Sequence, residues 1–182
     1  MINSSEWKEF RIGDLFDKKT IKGFSKKYEN LEVVKKGYHV FGQNIKYQYP
    51  QKVLLDEKFL FKVEKDKPIL AYTSSVGEIG MICESFYRSG DNGAFQGLLP
   101  KFTDYNKKHI LFILSVLLKT FNNFGYSTSM CNIENLNIKL PIATNGKIDF
   151  DFMENFIDKI EQKQRGILEF YKHKKQNGGG MS

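Results

Sequence analysis

Cysteine is nearly absent from this chain. The two residues present among 182, Cys83 and Cys131, form no Cys-x-x-Cys pair. That excludes a dense disulfide framework and a zinc ribbon, and leaves two reduced thiols acting as small core residues in a cytoplasmic setting. Histidine is equally sparse: His39, His109 and His173 are scattered, and with the cysteines they offer no metal-ligand spacing. No apolar run reaches membrane length, the longest being Ile110 to Leu118, interrupted by Ser115. The opening MINSSEWKE lacks the basic start and apolar stretch of a standard signal peptide. A Walker-type phosphate loop is also missing, which argues against ATP use.

Aromatic residues, by contrast, make up 14% of the chain, and 41% of it is hydrophobic. A solvated coil carries far fewer rings, so one globular domain with an appendage is expected. The formal net charge is +7, and its excess is local. Lys18, Lys19, Lys22, Lys26, Lys27, Lys35 and Lys36 crowd one stretch, opposed there by Glu29 and Glu32. Clustered cations of this kind suit phosphate binding, where each neutralised phosphate releases counterions. The alternative is a merely solvated loop.

Turn signals at Lys36-Gly37, Gly42-Gln43-Asn44, Asp66-Lys67-Pro68 and Ser89 to Gly93 punctuate short β-rich pieces. These pieces are Leu31–Val34, Tyr38–Phe41, Lys52–Leu55, Phe59–Val63, Ile69–Thr73 and Met81–Ser85. WKEFRIGDLF reads as a strand and a turn, and residues 17–30 as a basic loop. Strands at this spacing predict a twisted, partly closed sheet rather than βαβ units. The period then changes. Ile110, Ile113, Leu114, Leu117, Phe121 and Phe124 mark a helix from about Asn106 to Phe124, with Asp104 or Asn106 as its cap.

A second helix is expected from Asp149 to about Lys175. Met153, Phe156, Ile157, Ile160, Ile167, Leu168 and Tyr171 follow three- and four-residue steps, with Gln164 on the same seam as a register-setting polar group. Acidic residues lead and basic ones trail, as the helix dipole favours. About 25 residues would span roughly 38 Å, more than a small domain needs to cover its core, so these eight residues are assigned to a dimer interface. The alternative is a helix folded back on its own sheet. The expected class is α+β: a mostly-β twisted sheet with a packed helix over residues 1–146, a long coiled-coil-forming helix over 147–176, and a disordered tail over 177–182.

Five segments in this order resemble the specificity subunits of type I restriction–modification systems. WKEFRIGDLF resembles the start of a target recognition domain, and GYHVFGQNIKYQYP its middle run. ILAYTSSVGEIGMI resembles a strand–Gly–x–x–Gly–strand passage, FGYSTSMCNIENLNIKLPI the closing segment, and NGKIDFDFMENFIDKIE the start of the long helix that follows. The resemblance implies a non-catalytic reader of double-stranded DNA that recognises one half of a split target. It also leaves three alternatives for the helix: pairing with a second copy, pairing with another half subunit, or a chain that is one excised half of a longer subunit. A methyltransferase subunit carrying S-adenosylmethionine would be a partner, and a restriction (motor-nuclease) subunit can join. No cofactor is expected in this chain itself. Where the family has two recognition domains and two long helices, this sequence holds one of each.

On that reading Gln43 and Asn44 suit adenine, Lys46 and Arg88 suit guanine, and Tyr47 and Tyr49 pack against sugar or thymine methyl groups. Ser74, Ser75, Ser127, Thr128 and Ser129 can donate to phosphate. The lysines contact phosphate without reading bases. Each has a plainer alternative: Asn44 as a turn cap, Arg88 paired with Asp91 or Glu84, the tyrosines lining one strand face. Catalysis looks absent. All four prolines are isolated, so the Asn/Asp-Pro-Pro-aromatic motif of an amino-methyltransferase cannot exist here. Acid-x-Lys triplets such as Asp17–Lys19 are expected by chance in so Lys-rich a chain. The competing readings are a recognition-domain fragment of a fused restriction–methylation enzyme or a nuclease, and a basic adaptor that binds an acidic protein.

Overall fold

The computed structural model describes residues 6–25, 31–42, 45, 48–73, 78–90, 93–124 and 132–177. Its architecture is α+β, with twisted sheets and, among the described residues, three α-helices. The first strand, β1 (Glu6–Arg11), pairs antiparallel with the last, β10 (Asn137–Ile142). The single turn α1 (Ile12–Leu15) buries Ile12 and Leu15 and leads directly into β2 (Phe16–Thr20). Residues 17–20 are therefore strand, not the expected loop. Their polar composition hid this, but β2 is an edge strand and only Phe16 of its five residues is buried.

Two four-stranded sheets follow. The first has the order β2–β9–β6–β7 and is antiparallel throughout, with β6 (Ile69–Thr73), β7 (Glu78–Ile82) and β9 (Phe95–Pro100). The second has the order β4–β3–β8–β5: β3 (Tyr38–Phe41), β4 (Gln48–Val53), β5 (Leu60–Phe61) and β8 (Phe86–Arg88). Its β3–β8 pair is parallel and its outer pairs are antiparallel. Four of the expected pieces are corrected: Leu31–Val34 forms no strand, Met81–Ser85 shifts to Glu78–Ile82, Lys52–Leu55 to Gln48–Val53, and Phe59–Val63 shortens to Leu60–Phe61.

Strand β6 shows how sequence sets the layers. Every residue of ILAYT is buried, because successive side chains point to opposite faces and both faces are covered. Ile69 and Ala71 join Ile21, Phe41, Ile45, Ile82, Phe86 and Phe95 in one cluster. Leu70 and Tyr72 join Phe16, Ile79 and Leu98 beneath the helices in another. A third cluster of Phe24, Val40, Val53 and Tyr87 packs within the second sheet.

Helix α2 (Lys107–Phe124) lays Ile110, Ile113 and Leu117 on the helical side of the first sheet. Of the two candidate caps, Asn106 serves: its Oδ1 accepts from the amides of Lys108 (2.9 Å) and His109 (3.3 Å). Helix α3 (Phe150–Asn177) starts where Asp149 Oδ1 accepts from the Phe152 amide at 2.8 Å. It packs on α2 through its first turns, where Met153 and Ile157 are buried. A polar network locks this base. Glu154 accepts from Asn106 Nδ2 (3.1 Å) and Lys108 Nζ (3.2 Å), and Lys108 also meets Asp158 (2.7 Å).

Candidate nucleic-acid interface

The strand registers gather four connections at one end of the paired sheets. In the first sheet, Thr73 closing β6 lies opposite Glu78 opening β7 and Phe95 opening β9, while Thr20 closing β2 faces Gln96. In the second, Phe41 closing β3 lies beside Arg88 closing β8 and opposite Gln48 opening β4. Residues 21–24 stitch these ends together. The Ile21 amide donates to the Phe95 carbonyl (3.0 Å), and Phe24 bridges Ser89 in parallel. From this end leave the connections 25–37, 42–47, 74–77 and 89–94.

Most of the expected base and phosphate contacts belong to those connections: Lys26 and Lys27 in the first, Gln43, Asn44, Lys46 and Tyr47 in the second, Ser74 and Ser75 in the third. All eight lie outside the described residues, as do Ser127 and Thr128; what the structure fixes is the anchors on either side. Ile45, between two reader candidates, is buried against the inter-sheet core, so this connection is pinned at its middle. Ser127 and Thr128 precede a short 3-10 turn, Ile133–Asn135, that docks beside α1, away from the four-connection end.

Among the described residues, the basic stretch does not form one surface. Lys18 shares a face of β2 with Phe16 and ion-pairs with Glu134 at 2.7 Å, holding that carboxyl below its usual range. Lys19 points to the opposite face, its ammonium 5.6 Å from the Phe61 ring centroid. Lys22, beyond the strand and exposed, sits at the four-connection end itself. Of the described cations expected on phosphate, Lys22 is thus the best placed and Lys18 is already engaged.

Arg88 requires a correction. Its side chain is 1% exposed, so in this arrangement it cannot reach a groove edge. The guanidinium lies over the Phe95 ring, 5.1 Å from the centroid, and Nη1 donates to the Ser89 carbonyl. Arg88 falls on a strand whose three residues are all buried, whereas the sequence Arg-Ser-Gly looks like the exposed start of a turn.

The helix seam divides as well. Met153 and Ile157 are core residues of this chain, and Phe156 packs edge-on against Phe112 at 5.5 Å. These three are removed from the expected dimer interface, because α2 already covers that face. Further along, Ile160 (41% exposed), Ile167 (47%) and Leu168 (60%) are open, and Gln164 is exposed between them. The side chain of Tyr171 lies outside the described part. Sequence reasoning missed the network of Asn106, Lys108, His109, Glu154 and Asp158. Its one readable trace was a polar run ahead of each apolar helix stripe. No group of three or more metal-ligating side chains occurs among the described residues, and no described helix is long and apolar enough to cross a membrane.

The profile of the type I restriction modification DNA specificity domain matches residues 4–169. Solved structures share the fold. The type I restriction-modification system S subunit from M. genitalium superposes with a TM-score of 0.57 at 14% identity, over 96% of this chain and 44% of that one. A chain from a structure on complex assembly and conformational transition of the type I R-M system gives 0.55 at 14%, over 94% and 41%. The HsdS subunit from Thermoanaerobacter tengcongensis gives 0.52 at 15%, over 86% and 38%. The chain spans less than half the length of these solved relatives. No curated protein matches its sequence.

Proposed function

This chain belongs to the family of DNA specificity domains of type I restriction–modification systems, and from that premise we propose that it reads one half of a bipartite target in double-stranded DNA. The observation that carries this reading is the convergence of four connections on one end of two sheets. Gln43 and Asn44 are the adenine readers, Lys46 suits guanine and Tyr47 packs on sugar or methyl groups. Lys19, Lys22, Lys26 and Lys27, with the hydroxyls of Ser74 and Ser75, hold phosphate and fix register.

The free part of α3 supplies the second element. Ile160, Gln164, Ile167 and Leu168 recur at four- and three-residue steps on an exposed stripe. From Ile160 to Asn177 the helix rises roughly 26 Å. A second copy, or another half subunit, covers this stripe as a coiled coil and sets the distance between the two readers. Two copies of one chain read a two-fold symmetric split target.

Chemistry belongs to the partners: a methyltransferase subunit that binds S-adenosylmethionine and methylates adenine, with a restriction subunit in the complete system. The chain itself is a non-catalytic cytoplasmic subunit without a cofactor. Methylome sequencing of cells that express it with its methyltransferase companion tests the reading. A new split adenine motif with symmetric halves is the expected result. Methylation that is unsplit, or unchanged by the chain, would contradict it.

A further inference from the structure

Two segments that lead into candidate reading connections meet at one corner, residues 88–90. The Ser89 amide donates to the Phe41 carbonyl at 2.9 Å, tying in the strand that leads to residues 42–47. The Phe24 amide donates to the Arg88 carbonyl (3.0 Å) and the Gly90 amide to the Phe24 carbonyl (2.8 Å), tying in the segment that leads to residues 26–30. Gly23 donates to the Gly90 carbonyl at 3.1 Å. The corner itself opens the connection 89–94.

Two glycines at the corner resist substitution. A Cβ on Gly23 would stand 1.7 Å from the Arg88 carbonyl oxygen. Gly90 has φ +105, and a Cβ there would stand 2.9 Å from Arg88 Nη1. Beneath lies the Arg88 guanidinium, one face on the Phe95 ring and one edge on the Ser89 carbonyl. Burying a cation costs free energy that an apolar side chain of similar volume would not. Such a residue is poor for stability and good at holding the Ser89 carbonyl in one fixed arrangement, because its donors are planar and rigid.

We infer that Arg88 is a specificity-determining positioning residue: it never touches DNA, and it sets base preference by fixing the corner from which the connections 25–37, 42–47 and 89–94 depart. This rests on the DNA-reading function proposed above. It replaces the role of guanine reader with one at a remove. A lysine in the same place keeps the buried charge and loses the plane, so it cannot hold the corner in the same way.

The test uses the full chain with its methyltransferase companion, offered a randomised duplex pool at low ionic strength, as wild type, Arg88→Lys and Arg88→Gln. The wild type should enrich a defined motif. In both variants discrimination between that motif and scrambled duplex should fall about 10-fold or more, the size of one lost base contact. Affinity for scrambled duplex should stay within about 2-fold, since phosphate contacts are untouched. An unaltered motif in both variants would overturn the inference. So would parallel loss of target and scrambled binding with loss of folded protein, which would make Arg88 a core residue only. A wild type that enriches nothing would instead sink the DNA-reading function itself.

Discussion

Two alanine substitutions ten residues apart on α3 should behave as if they belonged to different proteins. Ile157 is 5% exposed and shares a cluster with Met153, Ile113 and Leu117, so Ile157→Ala removes buried methyl groups and leaves a cavity between α2 and α3. The cost should be roughly 2–4 kcal/mol. At about 2–4 °C per kcal/mol for a chain of this size, the melting temperature should drop by roughly 4–16 °C. Ile167 is 47% exposed, so Ile167→Ala should change the stability of the dilute monomer by no more than about 0.5 kcal/mol. Urea titration at low protein concentration reads the first effect, and concentration-dependent light scattering reads the second. There Ile167→Ala should weaken self-association while Ile157→Ala, once folded, should not. Equal destabilisation of the dilute chain by both would mean that the whole helix lies against its own domain, and the ruler would be lost.

The base of α3 offers further checks. Asp149→Ala removes the acceptor for the Phe152 amide and should cost about 1 kcal/mol in urea unfolding, as helix caps do. Burial holds the His109 imidazole below its ordinary value, against the opposing pull of Glu154 and Asp151. The unfolded chain therefore takes up a proton near pH 6.5 that the folded chain resists. Stability from neutral His109 is complete above about pH 6.5 and is lost as pH falls through the folded value. His109→Gln should flatten the fall in urea midpoint between about pH 7 and 5, and an unchanged slope would show that another group is responsible. On DNA, Lys22→Ala should weaken all duplexes alike and reduce the salt slope by about 0.9. Lys18→Ala should do less, because Glu134 already holds that cation.

Both long helices were legible because their seams recur at three- and four-residue steps. Ile110 to Leu117 predicts α2, and the caps at Asn106 and Asp149 sit where a polar acceptor precedes the first apolar step. The resemblance of five short segments was enough to reach the family and the α+β class. Which face each residue occupies was less legible. DKKT carries a single strand former, Thr20, so β2 passed for a loop and the opposite aim of Lys18 and Lys19 went unseen. Strand β9 is interrupted by Gly97 and ends on Pro100, both strand-breaking in composition. Here Gly97 leaves room for Ile21, whose Cδ1 would stand 3.0 Å from a Cβ at that site. The burial of Arg88 was not readable at all, because it depends on pairing β8 with β3, a parallel contact across nearly fifty residues of sequence. Nor did the seam of α3 announce where it passes from core to solvent. Only the position of α2 decides that Ile157 is covered and Ile160 is open.

Photocrosslinking tests most directly which end of the domain meets DNA. A photoreactive side chain is placed at position 44, in the connection between β3 and β4, or at position 103, beyond the far end of β9. Bound to a target duplex beside the methylating companion, the chain labelled at Asn44 should crosslink to bases of the duplex and the one labelled at Thr103 should not. Crosslinks from Thr103 with none from Asn44 would put the DNA at the opposite end and contradict the account.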